Sequence, residues 1–128
     1  MKRKPRPKNA LLWLFEPLED DPRYEKRRLF SFAAAYLDQK IYLAVSEGQE
    51  PWNGIMVCTS HDRQPLLTAE FPQLTPHPVL GKWLYLSLTH PDFESLAQNL
   101  VSLARRRDPR LGVEPQSRTP VKSLRKTR

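Results

Sequence analysis

At 128 residues, the chain has room for one domain and little more, and its thirteen prolines against four glycines rule out a glycine-rich phosphate loop of either nucleotide-binding type. The formal net charge of +7 is unevenly spread: residues 1–9 carry +5 and residues 105–128 carry +7, so residues 10–104 carry −5. No apolar run approaches the ~18–20 residues of a membrane span, and a single cysteine, Cys58, excludes an internal disulfide and fits a reducing, cytoplasmic setting.

The charge divides the chain into a disordered basic arm at 1–9, one α+β domain at 10–108 and a disordered basic tail at 109–128. The N-terminal arm holds no apolar residue after Met1. The basic start followed only by Ala10–Phe15 is too short for a secretory signal, and that run reads as a buried strand ended by Glu16-Pro17. Leu18–Arg28 begins acidic (Glu19, Asp20, Asp21) and ends basic (Lys26, Arg27, Arg28). Pro22 within it suits the first turn of a short helix.

Residues 22–46 admit two readings. A helix over 22–37 gains from Asp21-Pro22 and three alanines, yet its apolar residues occupy every face. A hairpin turning at Asp38-Gln39 sets Tyr36 opposite Ile41, Ala34 opposite Leu43 and Phe32 opposite Val45, placing all large apolar side chains on one face. The hairpin is the preferred reading, with Gln39 standing where a two-residue turn favours glycine.

Ile55–Thr59 and Leu66–Phe71 read as strands around a His61-Asp62-Arg63 turn, and Pro72–Gly81 as an extended proline-rich connection. Lys82–Leu88 alternates as a strand. Thr89-His90-Pro91-Asp92 then opens a helix over about 91–107. Phe93, Leu96, Ala97, Leu100, Leu103 and Ala104 make its apolar stripe, and Asp108-Pro109 ends it. The expected fold is an antiparallel sheet of five or six strands with this helix packed on one face.

Chemistry has thin support. Cys58-x-x-His61 is half a zinc site with no second half, so neither metal nor cofactor is expected. Cys58 reads as a small buried hydrophobe, His61 as a turn residue and His90 as a helix flank. Glu19, Asp20 and Asp21 match no calcium loop. Trp52, Trp83, Tyr85 and Tyr42 are candidates for base stacking, but more simply core. Enzyme activity is not expected. Only a pocket joining Cys58 or His61 to a distant acid would argue for it.

The expected function is therefore non-enzymatic binding, with the basic arms engaging nucleic acid or a nucleoprotein complex. Lys2, Arg3, Lys4, Arg6, Lys8, Arg105, Arg106, Arg107, Lys122, Arg125 and Lys126 are the candidate nucleic-acid-binding residues, because flexible cations neutralise phosphates and release counterions. The alternative is a protein-interaction or regulatory module, contacting its partner through a sheet face or the Pro72–Pro78 segment. In that reading the tails are incidental, aiding solubility or lying against the acidic Glu16–Asp21 segment. No membrane partner is expected, and nothing in the sequence sets the oligomeric state.

Overall fold

A computed structural model describes residues 11–29 and 32–115. It shows a six-stranded antiparallel sheet with a C-terminal helix on one face. The strands are β1 (Tyr24–Leu29), β2 (Phe32–Leu37), β3 (Lys40–Ser46), β4 (Gly54–Val57), β5 (Thr75–Pro76) and β6 (Leu84–Ser87), in the order β1-β2-β3-β4-β6-β5. Two helices accompany them, α1 (Gln64–Glu70) and α2 (Phe93–Arg105).

Three segments differ from the sequence expectation. The first apolar run is not a strand: Leu12–Leu18 is a 3-10 helix, and Leu11, Leu14, Phe15 and Leu18 are buried at the spacing i, i+3, i+4, i+7. Pro22 opens no helix. It sits in a turn where the Tyr24 amide donates to the Asp21 carbonyl, and β1 follows. The supposed strand at Leu66–Phe71 is largely α1, with Pro65 in its first turn. Leu67 is fully buried and Phe71 nearly so while Ala69 between them is exposed, and a strand would place all three on one face.

The hairpin at Asp38-Gln39 forms, and both turn residues have positive φ (53° and 68°), as a type I′ turn requires. Its pairing starts in the expected register, Tyr36 opposite Ile41, and then slips. Ala35 faces Leu43, Ala34 faces Ala44 and Ala33 faces Val45, leaving Tyr42 as the extra residue of a bulge. One inserted residue reverses the facing of everything beyond it. Leu43 and Val45 therefore join Ala35 and Leu37 on the helix side, with Ile55, Val57, Leu84 and Leu86. Phe32, Ala34, Tyr36, Ile41, Ala44, Met56, Cys58 and Tyr85 form a second core on the other side, closed by Leu29, Trp52, Leu80, Trp83 and Val113.

Helix α2 buries Phe93, Ala97, Leu100, Val101, Leu103 and Ala104 against the sheet and the 3-10 helix, and exposes Ser95, Gln98, Asn99 and Ser102. The His90 Nδ1 accepts the Asp92 amide (3.0 Å) ahead of its first turn. At its other end the Arg107 amide donates to the Ala104 carbonyl and the Asp108 amide to the Leu103 carbonyl, the paired bonds of a Schellman cap. Arg107 occupies the left-handed position (φ 57°) where glycine is usual.

The packing does not end at residue 108. Leu111 is buried, Val113 exchanges both backbone bonds with Ile41 (2.9 Å each), and the Gly112 amide donates to the Cys58 carbonyl. Val113 thus continues the line of β4 alongside the start of β3. Gly112 has φ +100°, and a Cβ there would lie 2.7 Å from Cζ of Tyr42. The bulged tyrosine and the glycine that crosses it are matched.

Candidate polyanion interface and the cations of the fold

All fourteen acidic residues lie within the described part of the chain, together with eleven of the twenty-one Lys and Arg. The folded body is therefore net acidic, by three charges. The remaining ten cations divide equally between the first ten residues and residues 116–128. Lys2, Arg3, Lys4, Arg6, Lys8, Lys122, Arg125 and Lys126 all lie outside the described residues.

The three arginines at the end of α2 have different surroundings. Arg107 is partly buried and makes four hydrogen bonds through its guanidinium: it binds both carboxylate oxygens of Asp21 (2.9 and 3.2 Å), Oδ2 of Asp38 (2.6 Å) and the Arg105 carbonyl (2.9 Å). Those bonds explain why an arginine tolerates the strained cap position. They hold the Asp21 and Asp38 carboxyls below the usual carboxylate range, and raise the already high pKa of Arg107 itself. Arg105 reaches Asp20 at 3.5 Å, but both side chains are at least half exposed and such a pair is worth only about 0–1 kcal/mol. Arg106 is exposed. In this geometry Arg105 and Arg106 can turn to an external anion, whereas Arg107 is committed to Asp21 and Asp38, acids of the Glu19–Asp21 cluster and of the hairpin tip.

Two further arginines secure the segment that follows. Arg63 donates to the carbonyls of Pro109 (2.9 Å) and Gly112 (3.0 Å) and to Oγ of Ser60 (2.8 Å). Arg110 binds Asp108 and Glu70, lowering the Asp108 carboxyl, while its carbonyl accepts the Thr59 hydroxyl (2.6 Å). Sequence reasoning missed these roles, since an arginine bonded to carbonyls leaves no mark in charge counting. It also missed β1. There Arg27 pairs with Glu25 (3.0 Å) and lies over the Tyr36 ring, while Lys26 and Arg28 are exposed and have no ion pair among the described residues.

Of the four stacking candidates, Trp52, Trp83 and Tyr85 belong to the second core and Tyr42 to the first. Tyr42 and Tyr85 are buried. Trp52 is half-buried between Phe32 (5.4 Å) and His77 (4.5 Å), and Trp83 is half-buried. Both tryptophans are half-buried against the second core, and neither stands free as a platform for stacked bases. Around Tyr85 sits a polar cluster. Its hydroxyl donates to Glu50 (2.6 Å) and accepts the Asn53 amide (2.9 Å), and the Ser87 hydroxyl also donates to Glu50. These bonds lower the Glu50 carboxyl, while burial and the Glu50 carboxylate push the Tyr85 hydroxyl up to about 12. His77 is buried beside it. Its Nδ1 accepts the amides of Val79 and Leu80, so the proton is on Nε2 and is donated to the Pro51 carbonyl (2.8 Å). Every member of this cluster is occupied in fastening the 47–53 and 77–83 loops over the sheet.

Cys58 is buried, and His61 is exposed in a turn. Among the described residues no three His, Cys, Asp or Glu side chains are grouped to hold a metal ion, and no helix is long and apolar enough to cross a membrane. A surface groove runs between the 3-10 helix and α2, lined by Trp13, Leu14, Glu16, Pro17, Gln98 and Val101; it includes neither Cys58 nor His61. No protein-family model, curated protein or solved structure matches the chain significantly.

Proposed function

We propose that the protein is a non-enzymatic binding protein whose basic termini grip nucleic acid, alone or within a nucleoprotein complex. The observation that carries this reading is the charge partition. Every acidic residue lies in residues 11–115, and the ten cations outside that range have no acidic residue among them. Such segments follow a phosphate backbone and gain affinity by counterion release, without reading bases. Arg105 and Arg106 extend the same charge onto the end of α2, while Arg107 serves the fold. Steep salt dependence and weak sequence preference are the expected signature.

The test is fluorescence anisotropy with labelled single-stranded RNA, single-stranded DNA and duplex DNA at two salt concentrations. The full chain is compared with residues 11–115, a boundary that keeps Leu111, Gly112 and Val113. Tight, salt-sensitive binding by the full chain that disappears on truncation supports the reading. Equal binding by the two forms, or none by the full chain at low salt, refutes it.

A further inference from the structure

β1 is the outer strand of the sheet, six residues long and bordered, among the described residues, by β2 on one side only. The phase of its ladder follows from one bond: the Asp38 amide donates to the Arg23 carbonyl (3.3 Å), and Arg23 sits opposite Asp38 by continuation of the Tyr24–Leu37 register. In an antiparallel pair the exchanged bonds recur every second residue. Glu25, Arg27 and Leu29 therefore turn their backbone groups toward β2, and Lys26 and Arg28 turn theirs outward. The Tyr24 amide agrees with this phase, since its bond goes to Asp21 and not to β2.

The side chains alternate too. Tyr24 packs edge-on against Phe15 on the helix side (6.4 Å), so Lys26 and Arg28 project on that same side, about 6.6 Å apart along the strand. On the opposite side Arg27 is already held by Glu25 and the Tyr36 ring. The outer edge thus offers a repeated unit: an outward amide, an outward carbonyl and a cation with no ion pair among the described residues, then again two residues on.

We infer that this edge docks an extended peptide segment of another protein, with acidic side chains at two alternate positions facing Lys26 and Arg28. The donor and acceptor pattern selects the partner. A phosphodiester chain supplies acceptors only and would set anionic oxygens against the Lys26 and Arg28 carbonyls, whereas a peptide strand satisfies amide and carbonyl together. Charge selects it further. A second copy of β1 is disfavoured, because the two antiparallel registers of greatest overlap that pair the outward residues set Lys26 against Lys26 or Arg28 of its twin. This inference does not depend on the termini binding nucleic acid.

The experiment is amide-resolved NMR of the full chain, because the basic termini attract any acidic peptide and total binding would not locate it. The probe is a capped synthetic octapeptide alternating glutamate with valine and threonine; a lysine version and oligothymidylate serve as comparisons. The glutamate peptide is expected to shift the Lys26 and Arg28 amides. The double change Lys26→Glu and Arg28→Glu is expected to weaken that response about tenfold and to create a response to the lysine peptide. Both side chains are exposed and neither makes a ladder bond through its side chain, so the fold persists in the variant, as its remaining amide spectrum will report. No shift at β1, an undiminished response in the charge-reversed protein, or movement of the same amides by oligothymidylate alone would each overturn the assignment.

Discussion

Gly112→Ala probes the crossing of the chain over the Tyr42 bulge with a single methyl group. Two independent effects act there. A φ of +100° lies where a side chain costs about 1–2 kcal/mol. The new methyl would also meet the Tyr42 ring at 2.7–2.8 Å, an overpacking worth about 1–3 kcal/mol. Together they predict a loss of about 2–5 kcal/mol, a large share of the ~5–15 kcal/mol stability of an ordinary domain. Urea unfolding followed by tryptophan fluorescence measures it: at an m near ~2 kcal/mol/M, the midpoint falls by about 1–2.5 M with m unchanged. The two effects separate in a double-mutant cycle. In a Tyr42→Leu background the ring is gone and only the backbone effect persists, so Gly112→Ala should then cost about 1–2 kcal/mol. A cost below ~1 kcal/mol in the parent, or the same cost in both backgrounds, would refute the matched bulge and crossing.

Three other outcomes are expected. Gln39→Gly relieves left-handed strain of about 1–2 kcal/mol against a glycine entropy cost of about 0.5–1, a net gain near ~0.5–1 kcal/mol. Thermal unfolding should rise by about 2–8 °C, and a fall would contradict the turn assignment. Burial pushes the Cys58 thiol well up, so the native protein should resist thiol reagents and react only as fast as it opens; rapid native labelling would place Cys58 elsewhere. The carboxyls of Asp21, Asp38 and Asp108 are held down by hydrogen bonds from Arg107 and Arg110, so their contribution is present above the unfolded value near ~3.9 and fades as pH drops through the lower native values. Arg107→Met should flatten the acid side of the stability profile, measured as unfolding midpoint against pH, and an unchanged slope would remove Arg107 from that role.

Where periodicity and end signals agreed, the sequence was readable. Helix α2 carries stripe, start and stop together, and the hairpin at Asp38-Gln39 announced itself by apolar residues placed symmetrically about a polar pair. Short apolar runs were not readable, because Leu11–Phe15 and Leu66–Phe71 fit either period and only the burial of Leu18 and the exposure of Ala69 decide between them. The Tyr42 bulge was invisible, since it depends on Gly112 crossing seventy residues later in the chain. β1 was obscured by Glu25-Lys26-Arg27-Arg28, residues with little β-propensity that an edge strand tolerates. For the candidate interface, charge counting located the cations but could not tell Arg107, bonded to Asp21 and Asp38, from Arg106, which is exposed.

The strap from Arg107 to Val113 also sets the order in which the chain can fold. Arg107 joins Asp21 across 86 positions, the Thr59 hydroxyl reaches Arg110 across 51, and Arg63 reaches Gly112 across 49. The β1–β2–β3 meander can pair from local contacts, but the line of β4 stays open beside Ile41 until Val113 arrives. Long-range closures of this kind slow folding and prolong the life of exposed strand edges. A chain emerging during synthesis therefore holds an unfinished sheet, with Cys58 uncovered and a vacant edge at Ile41, until Gly112 and Val113 are available. It is over that interval, more than in the finished fold, that chaperone capture and thiol damage would act.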